Sequence, residues 1–370
     1  MRLIITLLLT IAATVLPVVA QVPPPYTAAI VLEPTTGRIL FEKNSNQALP
    51  TASMIKMMTL LVVMDEIKEG TITLDTPVTV SAKASRMGGS QVFLKQGETF
   101  PVKDLIAATM VHSANDAAMA LAERVGGTEE AFVPLMRTKA QQLGLKNTDI
   151  HSPHGLPAEG EDQPDVMSPA DLARVGMEIM KFPLIRQLAV LQTMPFRGGV
   201  FIMNNPNRLL RMYPDATGIK TGYHGKAGFC VTASARRGNL DLIAVVVGSQ
   251  RKQDNFESAA NLFSEAFARY RMLQPVKKGT VMTGAARISG GSVDSVKVVA
   301  GDTANVLVDR GEGQKIELLL KIDTVKAPIR KFQKVGLIIV RQGGKPIAQI
   351  PALAVNDVAR ASLMQRLWPF

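Results

Sequence analysis

Pro50-Thr51-Ala52-Ser53-Met54-Ile55-Lys56-Met57-Met58 sets a serine and a lysine three positions apart at the mouth of an apolar run. Residues so spaced share one face of a helix. The run continues from Met57 to Ile67 with enough Leu, Val and Met for a buried helix, and Lys68-Glu69-Gly70 closes it with glycine at the stop position. Ser53 is therefore expected at the start of a core helix, where unpaired backbone N–H groups favour developing negative charge. A serine hydroxyl attacks poorly until a base takes its proton, and Lys56 is the base within reach. To serve, it must be neutral, which requires burial and a second cation to bring its pKa well below about 10.4.

Spacing alone does not decide the matter, because Ser-x-x-Lys arises by chance in a chain of this size. A second one, Ser249-Gln250-Arg251-Lys252, follows the apolar run Leu242 to Val247, precedes no core helix and reads as accident at a strand end.

Two further short patterns stand out. Ser113 and Asn115 lie two apart in Val111-His112-Ser113-Ala114-Asn115-Asp116. That spacing points both side chains the same way only in a turn or extended segment, so they are expected on a break between two helices. An ordinary helix cap is the plain alternative. Together, a hydroxyl and an amide would move a proton and hold a peptide group. Lys220-Thr221-Gly222 precedes two apolar runs, Phe229 to Ala235 and Leu240 to Val247, which read as a strand pair. The expected place of Lys-Thr-Gly is a strand bordering a cleft. There Gly222 would let a substrate backbone approach and Lys220 would supply the positive field that Lys56 needs.

The 370 residues, 46% of them hydrophobic, bury a large core and suggest two domains. Met1-Arg2, the apolar stretch Leu3 to Leu16 and Pro17-Val18-Val19-Ala20 have the layout of a secretory signal peptide cut after Ala20, too short for a comfortable membrane span. Cys230 is the only cysteine, so no disulfide is expected in spite of export. The charge of +11 comes from 42 basic and 31 acidic residues that are interspersed, with only 4 Tyr and 1 Trp for base stacking. Nucleic acid is therefore not an expected partner, and anionic lipid head groups or an anionic wall polymer fit better. None of the 4 histidines forms a metal pattern, His151 and His154 read as rim packing, and neither metal nor cofactor is expected.

A hairpin is expected from Thr27 to Glu42 and a helix from Asp254 to Tyr270. The pattern changes at Gln274-Pro275-Val276, a domain boundary, to short strands over Val293 to Val299, Ala304 to Val308, Ile316 to Ile322, Val335 to Arg341 and Ala348 to Ile350. These read as a small β sandwich. In the tail, Asn356 to Phe370, an apolar side formed by Leu363, Met364, Leu367 and Trp368 would lie on a membrane or pack on the β domain.

Ser53-x-x-Lys56, Ser113-x-Asn115 and Lys220-Thr221-Gly222 in this order match the set found in penicillin-binding proteins and serine β-lactamases. The chain resembles the low-molecular-mass penicillin-binding proteins that are D-alanyl-D-alanine carboxypeptidases, including at His154-Gly155-Leu156, Asn207 to Leu210, Asp215 to Gly228 and Ala327-Pro328-Ile329. The resemblance implies an α+β chain, with a β-lactamase/transpeptidase-like catalytic domain of antiparallel sheet flanked by helices, followed by a small all-β domain. The expected division is residues 1–20 signal peptide, 26–273 serine peptidase, 274–353 β domain and 354–370 amphipathic tail. The implied substrate is the peptidoglycan stem pentapeptide, the implied inhibitors are β-lactam antibiotics, and the implied location is the periplasmic side of the cytoplasmic membrane. The resemblance makes Ser53 the nucleophile, Lys56 its base and Ser113 a proton relay to the leaving amine. Asn115 would hold the acyl-side amide, Lys220 and Thr221 would meet the terminal carboxylate, and the backbone N–H groups of Ser53 and Tyr223 would form the oxyanion hole.

His224 departs from the pattern, since related chains usually carry threonine two positions after the Lys-Thr-Gly glycine. Nor is there a matched counterpart of the deacylating glutamate of class A β-lactamases, Glu161 lying in an unmatched loop. The rival readings are a β-lactamase, distinguished by rapid loss of its acyl-enzyme, a D,D-endopeptidase, distinguished by cleft shape, and a wall-binding scaffold without turnover.

Overall fold

The computed structural model describes residues 24–157, 163–311 and 315–362. The expected signal peptide, Glu161 and the apolar side chains of the tail lie outside the described residues.

The centre is a five-stranded antiparallel sheet. Its strands are β1 (Ala28–Glu33), β2 (Arg38–Lys43), β3 (Ala216–His224), β4 (Gly228–Arg237) and β5 (Leu240–Ser249), in spatial order β3-β4-β5-β1-β2. All six residues of β1 are buried, as befits a strand covered on both faces. Alternation divides the side chains between two cores. Ile30, Leu32, Ile243 and Val245 face one way, into a core with Met57, Leu60 and Leu61. Val31, Ala233, Ala244 and Val246 face the other way, against Phe256, Phe263 and Phe267 of a helix over Asp254–Arg269. The hairpin, the strand pair and that helix stand where the sequence expected them, and the fold class is α+β with a C-terminal all-β domain, as expected.

Helix α1 (Lys56–Glu69) is buried on every side from Lys56 to Met64 and ends at Gly70 in the left-handed region, φ 81°. It does not begin at Ser53. A 3₁₀ turn over Ala52–Ile55 comes first, and in such a turn residues three apart eclipse, which aligns Ser53 with Lys56 more closely than an α-helix would. Helix α2 (Asn115–Gly126) follows Ser113, whose own φ of 63° ends a π-helical turn over Ala108–His112. The expected break between helices is therefore present, and no side-chain cap from Ser113 or Asn115 starts α2.

Beyond the helix over Asp254–Arg269, a third core from Val276 to Val358 belongs to a six-stranded sheet. One of its strands, Val281–Ser289, carries Gly284, Ala285 and Ala286 in place of large β formers and was not expected from the sequence. No described helix is long and apolar enough to cross a membrane.

Candidate active site

The 3₁₀ turn is wedged between β3 and the loop over residues 151–156. A Cβ added at Gly222 would meet the Thr51 carbonyl oxygen at 2.5 Å, and one added at Gly155, φ 83°, would strike the Ala52 carbonyl. The space that a side chain at Gly222 would take is filled by the chain's own turn. On this wedge the Lys56 amine donates to Ser53 Oγ at 2.7 Å and to the His154 carbonyl at 2.8 Å. Lys56 is 0% exposed. His154 is buried too rather than placed on a rim, and its Nε2 stands 3.3 Å from a Glu129 carboxylate oxygen.

Across from Ser53, the Lys220 amine donates to Ser113 Oγ at 2.6 Å and to the Thr221 carbonyl at 3.1 Å, and Lys220 is 2% exposed. Two ammonium side chains cannot both be comfortable here, since desolvation penalises each charge and each repels the other. Burial, then the Lys220 charge, hold Lys56 well below the ordinary amine range, against a partial upward pull from Asp165 and Asp116. Burial pushes Lys220 down to about 7. Both conditions that a basic Lys56 requires, desolvation and a neighbouring cation, are met.

Asn115 is held by its amide rather than by chance. Its Nδ2 donates to the Gly88 carbonyl at 2.7 Å and its backbone N–H to the Ser90 carbonyl at 2.7 Å, while its Oδ1 is buried without a partner. An orphaned buried acceptor costs about 1–3 kcal/mol, which a ligand N–H would recover. Tyr223 is exposed and its ring stacks on Phe229, centroids 4.2 Å apart. His224 accepts at Nδ1 from Ala227 N–H at 3.2 Å, leaves Nε2 covered and unpartnered, and is held below the usual imidazole pKa by burial.

Two carboxylates escaped the sequence reading. Asp165 accepts from His151 N–H, Ser152 N–H and Ser152 Oγ at 2.6–2.9 Å, and its carbonyl accepts from Thr51 N–H at 3.0 Å, so it fastens the loop of His154 to the turn of Ser53. Asp116 accepts from Val92 and Leu94 N–H groups at 3.2 and 3.0 Å, fixing the loop that holds Asn115. Only the position of Asp116, next to Asn115, hinted at a role; its partners lie 22–24 residues away. A separate cavity of about 610 Å³, lined by Met177, Val190, Thr217, Ser234 and Leu242 among others, touches none of these groups. No cluster of three potential metal ligands occurs among the described residues.

The D-alanyl-D-alanine carboxypeptidase family model matches residues 21–251, and that of the penicillin-binding protein 5 C-terminal domain matches residues 270–360. The chain belongs to the D-alanyl-D-alanine carboxypeptidase family, and is a serine-type D-Ala-D-Ala carboxypeptidase. It is similar to D-alanyl-D-alanine carboxypeptidase DacF of Bacillus subtilis, 34% identical over 91% of this chain and 87% of that protein. Among solved structures, penicillin binding protein 5 from Haemophilus influenzae aligns with a TM-score of 0.75 at 29% identity, over 92% of this chain and all of that one. Penicillin-binding protein D2 from Listeria monocytogenes, in an ampicillin-bound form, aligns with a TM-score of 0.61 at 25% identity, over 67% of this chain and 99% of that one.

Proposed function

We propose that this carboxypeptidase acts on peptidoglycan stem pentapeptides through an acyl-enzyme on Ser53 and is acylated there by β-lactams. The observation that carries the assignment is the buried Lys56 amine, 2.7 Å from Ser53 Oγ and depressed in pKa. Neutral Lys56 takes the Ser53 proton as Oγ bonds to the carbonyl carbon of the penultimate D-Ala. The carbonyl oxygen becomes an oxyanion beside the backbone N–H groups of Ser53 and Tyr223, donors that can each be worth about 3–4 kcal/mol. As the C–N bond breaks, Ser113 passes a proton to the leaving amine and takes one from Lys220, its partner at 2.6 Å, and the proton that Lys56 took from Ser53 passes on to restore Lys220, leaving Lys56 neutral again. Lys220 and Thr221 attract the terminal carboxylate, and the free Asn115 Oδ1 accepts the acyl-side N–H. Water then adds to the ester carbonyl carbon as Lys56 takes its proton, and that proton passes to Ser53 Oγ as the acyl–Oγ bond breaks and the shortened peptide leaves.

The exported location follows from the layout of residues 1–20, and the chain works as two units, residues 26–273 for chemistry and 274–353 as a β-rich stalk. Residues 356–361 are fastened to the β domain, where Val358 is buried and Arg360 bridges to Gly291, so the proposed membrane contact belongs to Leu363, Met364, Leu367 and Trp368 beyond them, and deleting residues 363–370 should release the mature protein from membranes. The direct test of function is D-Ala release from a pentapeptide ending in D-Ala-D-Ala. Release by the mature chain and none by Ser53→Ala supports the reading, and release by both overturns the assignment of Ser53.

A further inference from the structure

A short aromatic row leads from the surface to His112, the residue before Ser113. Phe93, at its outer end, is 63% exposed although its neighbours Val92 and Leu94 are buried and their N–H groups are both held by Asp116. Its carbonyl accepts from Arg197 Nη2 at 2.9 Å, and Arg197 is itself fixed by Glu98 at 2.6 and 2.7 Å and by the ring of Phe100 beneath it. The backbone of Phe93 has φ 57°, a conformation that bulky residues rarely adopt. A phenyl ring held out in solvent by a backbone that is fixed on either side and strained is preorganised for contact with something apolar. Inward from it, the Phe201 ring meets Phe93 edge-on at 6.0 Å and His112 edge-on at 5.4 Å. His112 immediately precedes Ser113.

We propose that Phe93, backed by Phe201, is a specificity-determining contact for an aliphatic side chain on the residue that the enzyme releases. The inference rests on the carboxypeptidase reading above. Its direction rests on His112, which joins the row to Ser113 in the chain, since Ser113 with Lys220 is the pair proposed to handle the leaving amine and the terminal carboxylate. The side chain of the released residue springs from the carbon between those two groups. The methyl of D-Ala covers little of an aromatic face, whereas a four-carbon chain covers much of one. The enzyme should therefore release longer aliphatic D-residues, with Phe93 setting how well.

The test compares kcat/KM for two pentapeptides identical except for a terminal D-Ala or D-norleucine, with the mature protein and its Phe93→Ala and Phe93→Leu variants. The expected results are release of D-norleucine by the parent, a fall of about tenfold in the D-norleucine to D-Ala ratio in Phe93→Ala, expressed mainly in KM, and recovery in Phe93→Leu. Covalent labelling by benzylpenicillin shows that each variant retains its site. Release of D-Ala without D-norleucine by the parent, or an unchanged ratio in labelled Phe93→Ala, overturns this inference alone. No release of either residue by the parent overturns the carboxypeptidase reading and the inference with it.

Discussion

Gly222→Ala probes how tightly the chemistry depends on the wedge beneath Ser53. The added methyl would sit 2.5 Å from the Thr51 carbonyl oxygen, and 3.2 Å from both Ala52 Cβ and Met54 Cγ. Ordinary contact begins near 3.4 Å, so β3 and the 3₁₀ turn must part by about 0.9 Å. The glycine does not have a positive φ, so backbone strain adds nothing and the effect is that of displacement. Lys220 and Thr221 ride on β3 while Ser53 rides on the turn, so the shift separates the proposed nucleophile from the groups proposed to receive the carboxylate. Misplacement of about 1 Å can cost roughly 10²-fold in rate. Overpacking adds a stability loss of about 1–3 kcal/mol, which is a fall of roughly 2–12 °C in Tm for a domain of this size. The assay is the second-order rate of benzylpenicillin acylation by intact mass, with thermal melting alongside. Acylation within threefold of the parent would refute the claim that this contact sets the site.

Three other perturbations separate the roles of individual groups. Lys220→Met removes the charge that lowers Lys56, so the Lys56 pKa should rise and the acid limb of the acylation pH profile should move to higher pH; an unmoved limb contradicts the charge argument. In the parent, Lys220 titrates near 7 when folded and near 10.4 when unfolded, so its burial penalty is full below pH 7 and fades as pH rises toward 10.4. The Tm gain from Lys220→Met should accordingly be larger at pH 6 than at pH 10. Asp116→Ala strands the N–H groups of Val92 and Leu94, and should cost about 3 kcal/mol in urea unfolding and slow acylation through loss of the Asn115 loop; stability within about 0.5 kcal/mol of the parent would show that water replaces the carboxylate. Asn115→Ala should weaken substrates that carry an acyl-side N–H at least tenfold more than an ester lacking it, measured as kcat/KM on the pair.

The sheet was legible because its strands alternate between two apolar faces, and α1 because its apolar run is closed by Lys68-Glu69-Gly70, whose glycine ends the helix in the left-handed region. The three motifs were visible as strings, yet their meeting was not, since Lys220 reaches Ser113 across 107 positions. Sequence spacing suggested an α-helical Ser53 because 3₁₀ and α geometry share the i, i+3 neighbour and differ only in how closely it is aligned. The roles of Asp165 and His154 stayed hidden for a related reason. Asp165 acts through three donors in a distant loop, and His154 acts on Lys56 through its carbonyl, a group every residue carries. Gly222 was recognised as a close-approach glycine, but not what approaches it.

The central claim is that Lys56 activates Ser53 for acyl transfer. Its most direct test is a time course of intact mass for the mature protein and Lys56→Met with benzylpenicillin, with the adduct located by peptide mapping. The account predicts a persistent penicilloyl adduct on Ser53 in the parent and acylation slowed by at least 10³-fold in Lys56→Met, within the range that removal of an activating base produces. Prompt labelling of Lys56→Met, or an adduct on any other residue, would contradict it.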